Sequence, residues 1–235
     1  MSVLKTVTGK RPKLIGTDLD GTIVAHYGFI SERTKIAFTA AHKAGIHIYF
    51  VTGRPIRWMS ELKDNFNFGT GICGNGALLY DFINQKILEQ WLFSPESQLE
   101  TVKRLREVIP LVNFAVEIDE QFHREKDYLA RWDVGIDNVG VNKIEEVINK
   151  PALKILARCG DASMSSDEMM SVATKALVGI ATVTHSNSTD SLLEISADGV
   201  SKGATLSKIA ARHGLTGEDC VTFGDNPNDF SMLSW

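Results

Sequence analysis

Cysteine is scarce in this 235-residue chain: three residues, Cys73, Cys159 and Cys220, stand far apart and are odd in number. That excludes a disulfide framework, and without a C-x-x-C pair there is no pattern for structural zinc. Reduced thiols and a cytoplasmic location are the expectation. Long apolar runs are also missing. None approaches the ~20 residues that span a bilayer. The basic residues near the start (Lys5, Lys10, Arg11, Lys13) have no apolar segment behind them, so they do not form a secretory signal. The six histidines show no metal-ligand spacing, and His42 and His213 read as helix-surface residues without a catalytic role. Positive charge is not in excess. A formal net charge of -4 argues against nonspecific binding to nucleic acid or an anionic membrane. What is present is ordinary for a globular protein, and the length allows one large domain or a core with an insert.

Residues 1–13 read as a ragged basic lead-in. Leu14-Ile15-Gly16-Thr17 reads as a short buried strand, and Ser31 as the cap of a helix that Gly45 stops. Ile46–Val51 is a second strand, followed by a helix around Ile56–Leu62 and a strand at Gly71-Ile72-Cys73. Such alternation predicts parallel strands with helical crossovers, whose ligands gather at the carboxyl ends of the strands. The rhythm changes near Tyr80. Strands at Lys86–Phe93, Phe114–Ile118, His123–Leu129 and Ala152–Arg158, with helices at Pro95–Val108 and Ser165–Leu177, suggest an α+β insert. The doubly wound pattern returns with a strand at Leu192–Ile195, a helix at Ser201–Arg212 and a strand at Cys220–Phe223. The expected division is a core of residues 1–82 and 186–235, with an insert of residues 83–185.

Four strings carry candidate chemistry. Asp18 and Asp20, two apart in Asp18-Leu19-Asp20-Gly21-Thr22, project to one side of an extended backbone. Two close carboxylates repel unless a cation or a proton lies between them. A hard cation such as Mg²⁺ takes such oxygens, and a carboxylate can also attack phosphorus. Gly21 lets the backbone approach an anion. The bland alternative is a solvated turn. Asp225, Asn226, Asn228 and Asp229 surround Pro227, which suits a first helical turn. One helix cap explains one of these residues, not four. Thr52-Gly53-Arg54 after a strand can grip phosphate oxygens, or it is a turn with a surface arginine. Lys202 at a helix start is disfavoured by the macrodipole unless an anion is near. Asn75, in Cys73-Gly74-Asn75-Gly76, is a further ligand contact or a plain turn residue.

In chain order, the run from Asp18, Thr52-Gly53-Arg54, Lys202 and the run from Gly224 to Asp229 resemble the first to fourth motifs of the haloacid dehalogenase superfamily, and more narrowly its Cof-type (subclass IIB) sugar phosphatases. There a large cap is inserted between the second and third motifs. The resemblance covers nearly the whole chain. It implies an α/β fold: a doubly wound, Rossmann-like parallel core with an α+β cap that closes over the leaving group. It implies a Mg²⁺-dependent phosphatase with Asp18 as nucleophile and metal ligand. Asp20 is implied as general acid and base, with its backbone carbonyl on the metal, and with a pKa raised by neighbouring negative charge. Asp225 is implied as the other metal ligand, with Asn228 and Asp229 in support. Gly21, Thr52, Gly53, Arg54, Asn75, Lys202 and Asn228 are implied at the phosphate or substrate. The implied partner is a small phosphorylated metabolite, with no nucleic acid or membrane, in a monomer or homodimer. In the family the chain continues past the fourth motif; here it stops at Trp235, so the expected core lacks an edge element. The motifs alone leave a phosphomutase, a non-catalytic Mg²⁺ or phosphate-binding module and, more distantly, a D-x-D glycosyltransferase open. Arg124, Trp132 and Arg158 are the cap positions proposed for substrate selection.

Overall fold

The computed structural model describes residues 10–25, 28–131, 135 and 137–235. Residues 1–9 of the lead-in and Trp132 therefore lie outside the described residues. The chain begins with β1 (Leu14–Thr17), an apolar run with both ends fully buried. Ser31 caps α1 (Glu32–Lys43) by accepting the Thr34 N–H at 3.1 Å. β2 (His47–Val51), α2 (Ser60–Asn65), β3 (Thr70–Cys73), β4 (Leu78–Asp81) and β5 (Lys86–Gln90) follow. The next elements are α3 (Pro95–Val108), β6 (Val112–Ile118), β7 (Gln121–Arg124), β8 (Lys154–Cys159), α4 (Ser166–Ala176), β9 (Ala181–Thr184) and β10 (Leu192–Ala197). The described chain closes with α5 (Lys202–Arg212), β11 (Cys220–Phe223) and the short α6 (Phe230–Leu233). Among the described residues, no helix is long and apolar enough to cross a membrane.

The strands form two sheets. The first has the order β11-β1-β2-β3-β4-β5; β11, β1, β2 and β3 are parallel, and β4 and β5 run antiparallel at one edge. Phe38 of α1 stacks on Phe50 of β2 on one face. Leu206 and Ile209 of α5 pack with Leu14, Val51 and Ile72 on the other. The core is therefore doubly wound, with every parallel strand ending toward the same edge.

The second sheet, β7-β6-β8-β10-β9, is antiparallel throughout. Its period of two separates its faces. Phe114, Val116, Ile155, Ala157, Leu193 and Ile195 bury against α3 and α4. The alternate residues Glu117, Lys154, Leu156, Leu192 and Glu194 face the carboxyl edge of the first sheet.

Sheet membership moves both expected junctions. Lys86–Gln90, placed in the insert by its sequence, pairs with β4 and extends the first sheet. Leu192–Ile195, placed in the core, lies between β8 and β9 in the second, because Leu193 and Ile195 complete the layer beneath α4. β4 and β9 were not anticipated. The expected His123–Leu129 strand is replaced by Gln121–Arg124. The ladder stops there because the Glu125 carboxylate turns inward to accept the N–H groups of Phe114 and Ile144, each at 2.9 Å.

Candidate active site

Asp18 follows β1 directly, which sets it at the carboxyl edge of the first sheet, buried to 4% exposure. Lys202 opens α5 and is 1% exposed. A cation at a helix N-terminus is electrostatically disfavoured. Here two carboxylates offset that cost: Lys202 Nζ donates to Asp18 Oδ1 at 2.6 Å and to Asp229 Oδ1 at 2.7 Å. The other oxygen of Asp229 accepts the N–H groups of Asp225 (3.1 Å) and Asn226 (3.0 Å), which pins the loop after β11. Asp225 Oδ1 in turn accepts the Thr22 hydroxyl at 2.7 Å. Gly21 has φ +85°, and a β-carbon there would collide with the Asp225 carboxylate. The first and last motifs thus interlock, and only glycine fits between them.

Oxygens of Asp18, Asp225 and Asp229 all lie within 4.8 Å of one another, with a single ammonium to balance them. Burial pushes the Asp18 carboxyl up to about 6; the Lys202 cation opposes this and the Asp229 carboxylate adds to it. Burial works against the Lys202 ammonium, but the two carboxylates outweigh it and hold its pKa above the ordinary value. Closely spaced hard oxygens with excess negative charge suit Mg²⁺. Both oxygens of Asp229 accept hydrogen bonds, from Lys202 and from two backbone N–H groups, and both oxygens of Asp225 accept from side chains, those of Thr22 and Asn226, so an ion held by this cluster would share its oxygens with these donors.

Thr52 follows β2 and is buried; its hydroxyl accepts the Arg54 N–H at 3.1 Å. Arg54 departs from the expected phosphate contact. Its guanidinium grips Asp20 bidentately (2.5 and 2.8 Å) and also donates to Glu61 at 2.8 Å. The side chain touching Asp20 is therefore a cation, where anions were expected. Asn75 takes a left-handed backbone, φ 57° and ψ 29°, which asparagine tolerates. Its amide donates to Glu194 Oε2 at 2.9 Å and accepts from Asn228 Nδ2 at 3.2 Å. Asn228 Oδ1 is buried with no hydrogen-bond partner among the described residues.

A cavity of about 200 Å³ separates the sheets, with Asp18, Asp20 and Arg54 below and Lys154, Leu156 and Leu192 above. A larger cavity, about 300 Å³, lies beyond Arg57 and contains none of the clustered acids. Of the proposed cap positions, Arg124 and Arg158 do not line the cleft. Arg124 ties down a loop through the carbonyls of Lys126 (2.9 Å) and Asn138 (2.8 Å). Arg158 donates to the Asp190 carbonyl at 2.6 Å and lies over the Tyr128 ring. Lys154 and Glu194, which do line it, were missed. The available signal was a lone charge inside an apolar strand, as in Leu153-Lys154-Ile155-Leu156 and Leu192-Leu193-Glu194-Ile195. A buried charge demands a partner.

Residues 15–235 match the family described as haloacid dehalogenase-like hydrolase. This chain belongs to that family. A 5-amino-6-(5-phospho-D-ribitylamino)uracil phosphatase of Bacillus subtilis is 25% identical over 241 residues, covering 96% of this chain and 84% of its own. Among solved structures, a superfamily phosphatase from Bacteroides thetaiotaomicron superposes with a TM-score of 0.75 at 20% identity, over 99% of this chain and 84% of that one. A subclass IIB sugar phosphatase superposes at 0.69 with 22% identity, over 94% and 84%. This hydrolase therefore has the core-and-cap fold of subclass IIB, and it is an enzyme of the phosphatase type.

Proposed function

We propose that this hydrolase cleaves a small phosphorylated metabolite, a sugar phosphate in the first instance, through an aspartyl-phosphate on Asp18, with Mg²⁺ held by Asp18 and Asp225 and the Asp20 carbonyl. The observation that carries this is the Asp18–Lys202–Asp229 cluster beside Asp225, in which one ammonium faces three carboxylates. A dianionic phosphate would be repelled by that cluster alone. The bound ion supplies the missing positive charge.

The residues divide the work. An Asp18 oxygen attacks phosphorus, and the bond to the leaving oxygen breaks with its electron pair. Asp20 sits at the mouth of the cleft, more than half exposed, where it can give that oxygen a proton once Arg54 releases it. It then takes a proton from the water that attacks the acyl phosphate, returning Asp18 and inorganic phosphate. Lys202 shields Asp18 from the incoming phosphate, and Thr52, Gly53 and Gly21 border the phosphoryl position. Positioning and charge neutralisation dominate phosphoryl transfer, which suits a site built from buried, hydrogen-bonded charges. The small cleft suits a compact leaving group, and the three free thiols suit a cytoplasmic enzyme.

The test is phosphate release across small phosphate monoesters, with Mg²⁺ and with EDTA, for the wild type and Asp18→Asn. Release that needs both Mg²⁺ and Asp18 supports the proposal. EDTA-insensitive release, or unchanged activity in Asp18→Asn, contradicts it, and an isomeric sugar phosphate as product would redirect it to a mutase.

A further inference from the structure

Two charged residues outside the four motifs join three of the loops that form the site. Lys154 on β8 and Glu194 on β10 are both buried, and Lys154 Nζ donates to Glu194 Oε2 at 2.6 Å. Neither contact ends at the second sheet. Lys154 Nζ also donates to the Gly53 carbonyl at 2.9 Å. The peptide between Gly53 and Arg54 is therefore held at both ends, its oxygen by Lys154 and its N–H by the Thr52 hydroxyl. Glu194 Oε2 also takes the Asn75 amide, and Asn75 takes the Asn228 amide. The result is a continuous buried chain, Lys154–Glu194–Asn75–Asn228, running from two strands of the second sheet into the Asn75 turn and the last motif. A branch reaches the Thr52–Arg54 loop.

A buried ion pair whose only task was stability would be a poor choice, since matched apolar side chains usually do as well or better. It would also have no need to spend its remaining valences on an asparagine amide and a loop carbonyl of the other sheet. Asn75 has a left-handed backbone, and only its side-chain partners decide which way its amide faces. With its NH₂ on Glu194, its oxygen takes the Asn228 amide, and Asn228 Oδ1 is left without a hydrogen-bond partner among the described residues, on a side chain that lines the same cleft as Asp18.

We propose that Lys154 and Glu194 are positioning residues: the cap, by seating on the core, completes a buried hydrogen-bonded chain that fixes the Gly53–Arg54 peptide, Asn75 and Asn228 around the phosphoryl position. The cap then assembles the phosphate end of the site as well as enclosing the leaving group. This rests on the phosphatase reading of the site.

The test uses the full chain, p-nitrophenyl phosphate as probe, saturating Mg²⁺, and four measurements: kcat, KM, melting temperature and the NMR signals of the Asn75 and Asn228 side-chain amides. Glu194→Gln keeps the size and loses the carboxylate. It should lower kcat roughly ten- to a hundredfold, the scale of a small misplacement, while KM changes less than about threefold and the Asn75 amide shifts. The apolar pair Lys154→Met with Glu194→Leu separates positioning from stability. It should melt near the wild type yet keep the kcat loss. Recovery of kcat together with melting temperature in that pair overturns the proposal, as does wild-type turnover with an unmoved Asn75 amide in Glu194→Gln. Should the apolar pair not fold, Asn75→Ala leaves the ion pair intact and decides instead. Combined with Glu194→Gln, it should be no slower than the slower single variant, and losses that multiply overturn the chain. A wild type without phosphate release, or an active Asp18→Asn, sinks the phosphatase reading; the Asn75 amide in Glu194→Gln still decides the chain.

Discussion

Two lysines are buried among the described residues, and their surroundings differ. Lys154 meets one carboxylate, Glu194, and its remaining contact is a neutral carbonyl. Charge balances there, and burial's upward push on Glu194 is outweighed by Lys154, so that the carboxyl sits below its ordinary pKa. Lys202 meets two carboxylates, with a third close by, and charge does not balance. There burial wins, and Asp18 rises to about 6. A balanced pair is complete as it stands. An unbalanced cluster held rigidly by backbone N–H groups has a place for another cation. That contrast supports the proposal that the Lys202 cluster is the place for chemistry and the Lys154 pair its support.

The comparison can be broken at several points. The largest expected effect is on turnover: Asp18→Asn should abolish phosphate release, and Asp20→Asn should lower kcat by roughly 10²–10⁴-fold, as expected for loss of a general acid. Near-normal turnover in either variant removes that residue from the mechanism. On stability, Lys202→Met leaves two buried carboxylates facing each other and should cost on the order of 3–5 kcal/mol in metal-free protein by urea unfolding. Added Mg²⁺ should recover part of it. The balanced pair should show no such recovery: the stability lost in Lys154→Met, taken relative to wild type, should be the same with and without Mg²⁺.

Metal affinity comes next. Thr22→Val removes the hydroxyl that orients Asp225 and should raise the Mg²⁺ concentration for half-maximal activity by about 10–100-fold, with kcat at saturation little changed. An unchanged Mg²⁺ requirement would argue that Asp225 does not hold the ion. A further effect is on pH. Between the ordinary carboxyl value of 3.8 and about 6, the folded chain holds a proton on Asp18 that the unfolded chain has lost. Stability from this group is therefore present on the acid side and lost as pH rises through 6. The amount is on the order of 2–3 kcal/mol, and it is read as wild type minus Asp18→Asn in metal-free buffer. Mg²⁺, which favours the ionised carboxylate, should flatten the slope.

The site motifs were legible in the sequence because each sits where a strand or helix ends. Turn residues and a change of period mark such places without any knowledge of neighbours. Asp18 after Leu14–Thr17 and Lys202 after Ser201 are of this kind. Lys154 and Glu194 were not legible, because which face of an antiparallel strand meets the site depends on register. Glu194 opposite Leu156 and Glu117 opposite Lys154 are facts of pairing, not of composition. The same cause misplaced Leu192–Ile195, whose apolar alternation suits either sheet. The Arg54–Asp20 contact was hidden for another reason. An arginine after Thr-Gly reads as an anion grip, and nothing local shows that the anion it grips is a carboxylate of the chain itself.

The central claim is that Asp18 itself attacks phosphorus. The direct measurement is acid quench of the enzyme during turnover of acetyl phosphate with Mg²⁺, followed by mass spectrometry of the peptide carrying Asp18. The account predicts a phosphoryl adduct on Asp18 that is absent without Mg²⁺ and absent in Asp18→Asn. Steady phosphate release with no adduct on that peptide, in an enzyme still dependent on Mg²⁺, would contradict it.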